Sequence, residues 1–307
     1  MKPQVAFYWC ASCGGCEEAV VDLDEAILDV VAAVDIVFWP VALDFKEKDV
    51  EAIPDGGIDI CFINGAVRTT EQQRMALLLR AKSKAVVAFG ACAQLGGIPA
   101  LANLTTAAEI LKEVGQGQVE NLPRLFDSVF ALDRIVPVDY YIPGCPPTPK
   151  IIAAALQALL NGQAQAGSTL APDHALCEDC PRRDTRPADM LLERLYRIPE
   201  RAIDPARCIL AQGVPCLGPA TRAGCEARCI SGNMPCTGCF GPTSRVRDFG
   251  AKALSALASV VAATGEQEID RIFESIPDPA GTFYRYSLPV GQVSRLAQPG
   301  DSHVSRD

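Results

Sequence analysis

Basic charge, histidine and long apolar runs are scarce in this sequence. Only 28 Lys and Arg stand against 37 Asp and Glu, a formal net charge of −9. There is thus no basic footprint for a polyanion, and nucleic acid is excluded as the expected partner. Two histidines occur in 307 residues. His303 falls in a tail, from about Leu296, whose composition is that of an unstructured end. His174 stands three residues before Cys177 and could compete for a ligand role, but it reads first as a linker residue. No window offers the roughly 18 unbroken apolar residues of a spanning helix. The N-terminus MKPQVAFYWCASCGG has one early Lys, no twin-arginine pair and an apolar run ending in a Cys-rich loop, so neither membrane insertion nor a signal peptide is expected. Neither GxGxxG nor GxxxxGK[ST] is found, so no dinucleotide or nucleoside triphosphate site is expected.

Cysteine, in contrast, is abundant, with 14 in the chain. The expected location is cytoplasmic, where disulfides are rare, and cysteines in such number read as metal ligands rather than a covalent framework. An apolar content of 49% supplies at least one full core and excludes a disordered chain.

The first half alternates two kinds of segment. QVAFYW (4–9), VDIVFW (34–39), IDICFI (58–63), KAVVAF (84–89) and VDYYIP (138–143) are short, nearly all apolar and rich in Val, Ile and aromatics, which predicts buried strands. Between them EEAVVDLDEAILDVVAA, TEQQRMALLLRAK and PKIIAAALQALL carry helical spacing, with Thr70 and Gln73 offered as a capping box for the second. Repeated strand–helix–strand order predicts an open parallel sheet with helices on both faces, whose ligands sit at the carboxyl ends of the strands.

That rule gives meaning to the cysteine positions. Cys13 and Cys16 follow the first run, Cys92 the fourth and Cys145 the fifth, so loops at one sheet edge could bring four thiolates together. Gly14, Gly15, Gly90 and Gly144 beside them free the backbone for close approach. Cys61 lies inside a strand and reads as a core residue, and Cys10 reads as a buried neighbour, with a substitute-ligand role as the alternative.

Beyond a linker at 161–173 the texture changes. Cys177, Cys180, Cys208, Cys216, Cys225, Cys229, Cys236 and Cys239 lie among Gly, Pro, Ser and Asn, which predicts a fold organised more by metal than by a hydrophobic core. Zinc is one reading of such pairs. The ending PCTGCFGP resembles ferredoxin-type loops instead. RVRDFGAKALSALASVVAATGEQEIDRIFESI then predicts one or two covering helices.

CGGCEEAVVD, GACA and PGCPP resemble the proximal-cluster motifs of nickel-iron hydrogenase small subunits. CEDC, CILAQGVPCLGPATRAGC and NMPCTGCFGP resemble their medial and distal cluster region. WCASCGGCEEAVVDL with an all-cysteine second half is most similar to the cytoplasmic, methyl-viologen-reducing type that works with heterodisulfide reductase. The resemblance implies three 4Fe-4S clusters: proximal on Cys13, Cys16, Cys92 and Cys145; medial on Cys225, Cys229, Cys236 and Cys239; distal on Cys177, Cys180, Cys208 and Cys216. Cys177 stands where relatives often carry His. It further implies a large-subunit partner holding the Ni-Fe centre, a ferredoxin-like or flavin-bearing acceptor subunit, and Glu18 as a proton relay, against its plainer reading as a helix N-terminal glutamate. The expected fold is α/β, a flavodoxin-like domain over 1–165 and an irregular, ferredoxin-like iron-sulfur domain over 166–307. A stand-alone multi-cluster carrier and a zinc-stapled interaction module are the alternatives.

Overall fold

The fold comes from a computed structural model that describes residues 2–113, 122–263, 265–276 and 278–292. His303 and the tail from Leu296 lie outside the described residues. The chain divides into two compact units, one of residues up to Leu170 together with the segment from Leu288, the other Ala171–Ser287.

In the first unit, strands β1 (Gln4–Trp9), β2 (Asp35–Phe38) and β3 (Ile58–Asn64) are followed by β4 (Val67–Thr69), β5 (Ser83–Phe89), β6 (Leu125–Phe130) and β7 (Tyr140–Ile142). Five of them pair in parallel in the order β2-β1-β3-β5-β7, the flavodoxin-like arrangement, with its switch point between β1 and β3. β4 and β6 form a separate antiparallel ribbon that the periodicity does not reveal.

Strand alternation sorts the core. Ala6, Cys61, Ile63, Val86 and Ala88 share one apolar cluster with Met75, Ala76 and Leu79 of the helix Thr70–Lys82. Their neighbours in sequence, Phe7, Phe62 and Phe89, form an aromatic row with centroids 5.0 and 6.0 Å apart. Trp39 closes that row at 4.7 Å from Phe7. The register pairs Trp9 with Asn64, Asn64 with Phe89 and Phe89 with Ile142. Four strands therefore end level, and their exit loops start from one line.

Three expectations are corrected. The amphipathic stretch at 17–33 is two helices, Gly15–Val21 and Ala26–Ala33. Asp24 between them is left-handed at φ 51°, a conformation Asp tolerates better than most residues. The capping box lies one residue earlier than expected. Thr69 Oγ1 accepts from Gln72 N at 3.2 Å, and Gln72 Oε1 accepts from the backbone of Thr69. Thr70 is used elsewhere, its hydroxyl accepting from Arg124 N beside the ribbon. The boundaries also differ from 165/166. Leu170 N and Tyr141 N bond across to Tyr141 O and Ser168 O, extending the β7 edge to the end of the first unit. From Leu288 the chain rejoins that unit, where Pro289 packs so closely on Gly96 that a Cβ there would meet it at 2.2 Å.

The second unit has more apolar core than its composition suggests. Helices Phe249–Ala258 and Pro279–Phe283 place Phe249, Ala253, Leu257 and Phe283 against Leu210, Leu217 and Ala220. A smaller cluster joins Leu176, Ile209, Val214, Ile230 and Cys236. The local run of Gly and Pro hides this because half the core arrives from helices farther along the chain.

Thr69→Ala should cost about 1 kcal/mol in urea unfolding through loss of the cap. Thr70→Ala should leave the cap intact.

Candidate functional site

The first thiolate set is built at the level edge of the sheet. Cys13 and Cys16 lie on the β1 exit and the helix it enters, Cys92 on the short helix Ala91–Leu95 after β5, and Cys145 after β7. Two bonds tie the latter exits together: Gly90 N donates to Ile142 O at 2.8 Å and Ala91 N to Gly144 O at 2.7 Å. Burial pushes the Cys16 thiol far above its ordinary value, and the Cys92, Cys145 and Cys13 sulfurs push it further. Cys92 is pushed up to about 12 by burial and then by Cys145 and Cys13. All four sulfurs therefore lie within electrostatic reach of one another.

A buried polar network anchors this loop, and no motif in the sequence singles it out. Glu17 is 4% exposed. Trp39 Nε1 donates to its Oε2 at 2.5 Å and Asn64 Nδ2 to its Oε1 at 2.7 Å. Ser12 Oγ donates to Asn64 Oδ1 at 2.8 Å. Burial raises the Glu17 carboxyl and the two hydrogen bonds oppose the rise. Trp39 follows β2 and Asn64 ends β3, so the network spans the exits on both sides of β1. A polar residue closing an apolar strand was the available signal. Glu18, the expected relay, is exposed.

Cys10 does not join the set. It is buried in the sheet core with Cys61, and its thiol is raised by burial first and by Cys61 next. His174 is likewise engaged elsewhere, Nε2 lying 2.9 Å from Asp179 Oδ1.

In the second unit the cysteines fall into neighbouring groups. Burial pushes Cys177 up to about 12, with Cys216, Cys180 and Cys208 adding to the rise and Arg186 opposing it. Cys225 is raised by burial with Cys229 contributing, and Cys236 by burial, then Cys216 and Cys239. Cys177 and Cys216 thus both neighbour Cys180 and Cys208, whereas Cys225 neighbours Cys229, and Cys236 neighbours both Cys216 and Cys239. The groups abut where Cys236 N donates to Cys216 Sγ at 3.3 Å.

These residues fit iron-sulfur clusters. A cubane offers separate iron corners to separate thiolates, and the first set brings four sulfurs within electrostatic reach. Backbone donors already point at sulfur, Gly15 N at Cys13 and Arg182 N at Cys180. The backbone also closes in on sulfur at two glycines. Gly90 has φ 86°, and a Cβ on it would meet Cys16 Sγ at 2.3 Å; one on Gly218 would meet Cys177 Sγ at 3.1 Å.

Gly90→Ala should remove the first set's metal, about four irons per chain by elemental analysis. The raised thiols also set a pH dependence for the metal-free chain. Unfolded thiols ionise near the ordinary value of 9.0 while Cys92 and Cys177 wait until about 12. Above 9.0 the unfolded state therefore binds fewer protons, and stability falls as pH rises toward 12. Urea midpoints on either side of the ordinary thiol value check the sign.

Residues 13–159 match the family described as NADH ubiquinone oxidoreductase, 20 Kd subunit. The iron-sulfur subunit of the F420-non-reducing hydrogenase of Archaeoglobus profundus is 36% identical over 96% of this chain and 99% of its own. The corresponding vhu-type F420-non-reducing hydrogenase chain of Methanocaldococcus jannaschii is 39% identical over 93% and 95%. Among solved structures, the oxidized [NiFeSe] hydrogenase of Desulfovibrio vulgaris Hildenborough matches with TM-score 0.53 and 20% identity over 79% of this chain and 94% of that one, a likeness of fold. The level strand exits, the gathered thiols and the near-full-length relatives agree: the chain belongs to the family of F420-non-reducing hydrogenase iron-sulfur subunits, the small subunits of nickel-iron hydrogenases, oxidoreductases acting on H2.

Proposed function

We propose that this chain carries electrons from a Ni-Fe site on the large subunit through three 4Fe-4S clusters to a further redox subunit, ferredoxin-like or flavin-bearing, of a heterodisulfide reductase complex. The mutual neighbourhood of Cys13, Cys16, Cys92 and Cys145 at one sheet edge carries this reading. Each cluster, when bound, accepts and releases one electron at a time.

Cys13, Cys16, Cys92 and Cys145 hold the entry cluster. Cys225, Cys229, Cys236 and Cys239 hold the medial one, and Cys177, Cys180, Cys208 and Cys216 the distal one. The neighbourhood of Cys177 with Cys216, Cys180 and Cys208 supports the distal set; the pairs Cys225–Cys229 and Cys236–Cys239 are assigned to the medial one by their order along the chain. The Cys216–Cys236 bond supports a close passage between the two sets, since it links one ligand of each. A cytoplasmic setting, where disulfides are rare, suits a chain that keeps its cysteines for metal.

The stretch that follows the first cysteine pair suits the docking of the large subunit. Helix Ala26–Ala33 buries none of its residues, and Val21, Leu28, Val31, Val41 and Leu43 are all exposed large apolar residues. No Lys, Arg or His occurs between Lys2 and Lys46. Several exposed large apolar side chains in a stretch without a positive side chain suit a protein contact. Glu18, exposed on the adjoining helix, is free to receive protons released at the partner's metal site and relay them. Glu17, held at both oxygens, instead fixes the loop.

Iron and acid-labile sulfide analysis tests the cluster number: about twelve irons per chain are expected, and fewer than about eight would sink three cubanes. Leu28→Asp should weaken co-purification of a nickel-containing chain by about tenfold, the factor that ~1.4 kcal/mol represents. Glu18→Gln should slow hydrogen/deuterium exchange by the complex; an unchanged rate would exclude the relay.

A further inference from the structure

Arg182 is 6% exposed, one of only two arginines buried among the described residues. The other, Arg222, meets the carboxylate of Asp173 at 2.8 Å. The acceptors around the Arg182 guanidinium are all neutral. Nη2 donates to Ile230 O at 2.8 Å and Asn233 Oδ1 at 2.9 Å; Nη1 reaches Arg207 O at 3.4 Å and Asp204 O at 3.5 Å. A buried cation without a counter-ion is costly, and the usual remedy is an anion close by.

The bonds lead to the cysteines. Arg182 N donates to Cys180 Sγ at 3.4 Å. Arg207 immediately precedes Cys208, and Arg182 O also accepts from the Thr185 hydroxyl, whose oxygen takes the Cys208 N–H at 2.8 Å. Ile230 immediately follows Cys229. One guanidinium thus fastens three segments, and these carry ligands assigned to both C-terminal clusters. Four thiolates around a cubane give each site a net charge of about −2, which becomes about −3 on reduction. A fixed positive charge beside such sites stabilises the reduced form more than the oxidised one, and so raises the potential.

We propose that Arg182 is the buried counter-charge of the two C-terminal clusters, a positioning residue that raises their reduction potentials above what their thiolates alone would set. This rests on the cluster assignment above. Each cluster gains one electron from the reductant and loses it to the next carrier; the Arg182 guanidinium takes no part in that transfer and changes only the energy of the electron.

The test is a reductive titration of the holo-complex, followed by electron paramagnetic resonance, with two variants. Arg182→Gln removes the charge and keeps an amide donor. Asn233→Asp keeps the guanidinium and sets a carboxylate against Nη2, cancelling the charge in place. Both should lower the midpoint potentials of the C-terminal clusters and leave the cluster on Cys13, Cys16, Cys92 and Cys145 unmoved as an internal control. Arg182→Lys, which retains the charge, should lie nearer the wild type than Arg182→Gln. Unmoved potentials in whichever of the first two variants loads with iron would overturn the proposal. Failure of both to load would assign Arg182 a purely structural role and overturn it equally. A wild-type chain with no reducible cluster beyond the first would instead defeat the cluster assignment itself.

Discussion

Burial of thiols is the constraint on which the rest depends. Cys16, Cys92, Cys177, Cys216 and Cys236 are all raised, desolvation being the largest cause for each and neighbouring sulfur adding to it. Packing thiolates together away from water is unfavourable by itself. It becomes favourable when iron supplies positive charge among them, so metal binding and the local fold must be one equilibrium. The devices around the sites serve that equilibrium: backbone N–H groups aimed at sulfur, glycine where a Cβ would collide with it, and a guanidinium buried without a carboxylate.

The two units meet the constraint differently. In the first, the sheet sets where the loops start, because the parallel register makes four strands end level. The Glu17–Asn64–Trp39 network then locks the loop bearing Cys13 and Cys16 across the β1 switch point. In the second there is no extended sheet among the described residues. Hydrogen-bonded side chains replace it: Arg182 fastens three segments, and Gln212 Nε2 reaches the carbonyls of Asp204, Arg207 and Cys208. Under the proposed function, a sheet-edge site and a less regular segment bearing the other eight cysteines suit a chain that holds carriers at fixed spacing.

Much of this was legible in the sequence because it rests on period and spacing. β1 and the helices Thr70–Lys82 and Pro149–Leu160 lie where the apolar pattern puts them. What escaped depends on partners distant in sequence. Thr69 and Thr70 are equal as caps until Arg124 claims the second. Glu17 and Glu18 are equal as carboxylates until Trp39 and Asn64 claim the first. Leu288 and Pro289 read as a continuation of the C-terminal unit until Gly96 offers a seat. The apolar core around Leu210 and Leu217 cannot be seen locally, since Phe249 and Phe283 complete it from helices later in the chain.

The proposed function stands on three separate four-thiolate sites, each carrying one electron. A quantitative titration of the anaerobic holo-complex with a strong low-potential reductant, counting electrons taken up by this chain's clusters, tests it most directly. About three electrons per chain are predicted, one per cubane. Uptake of about one electron, confined to the site at Cys13, Cys16, Cys92 and Cys145, would contradict it.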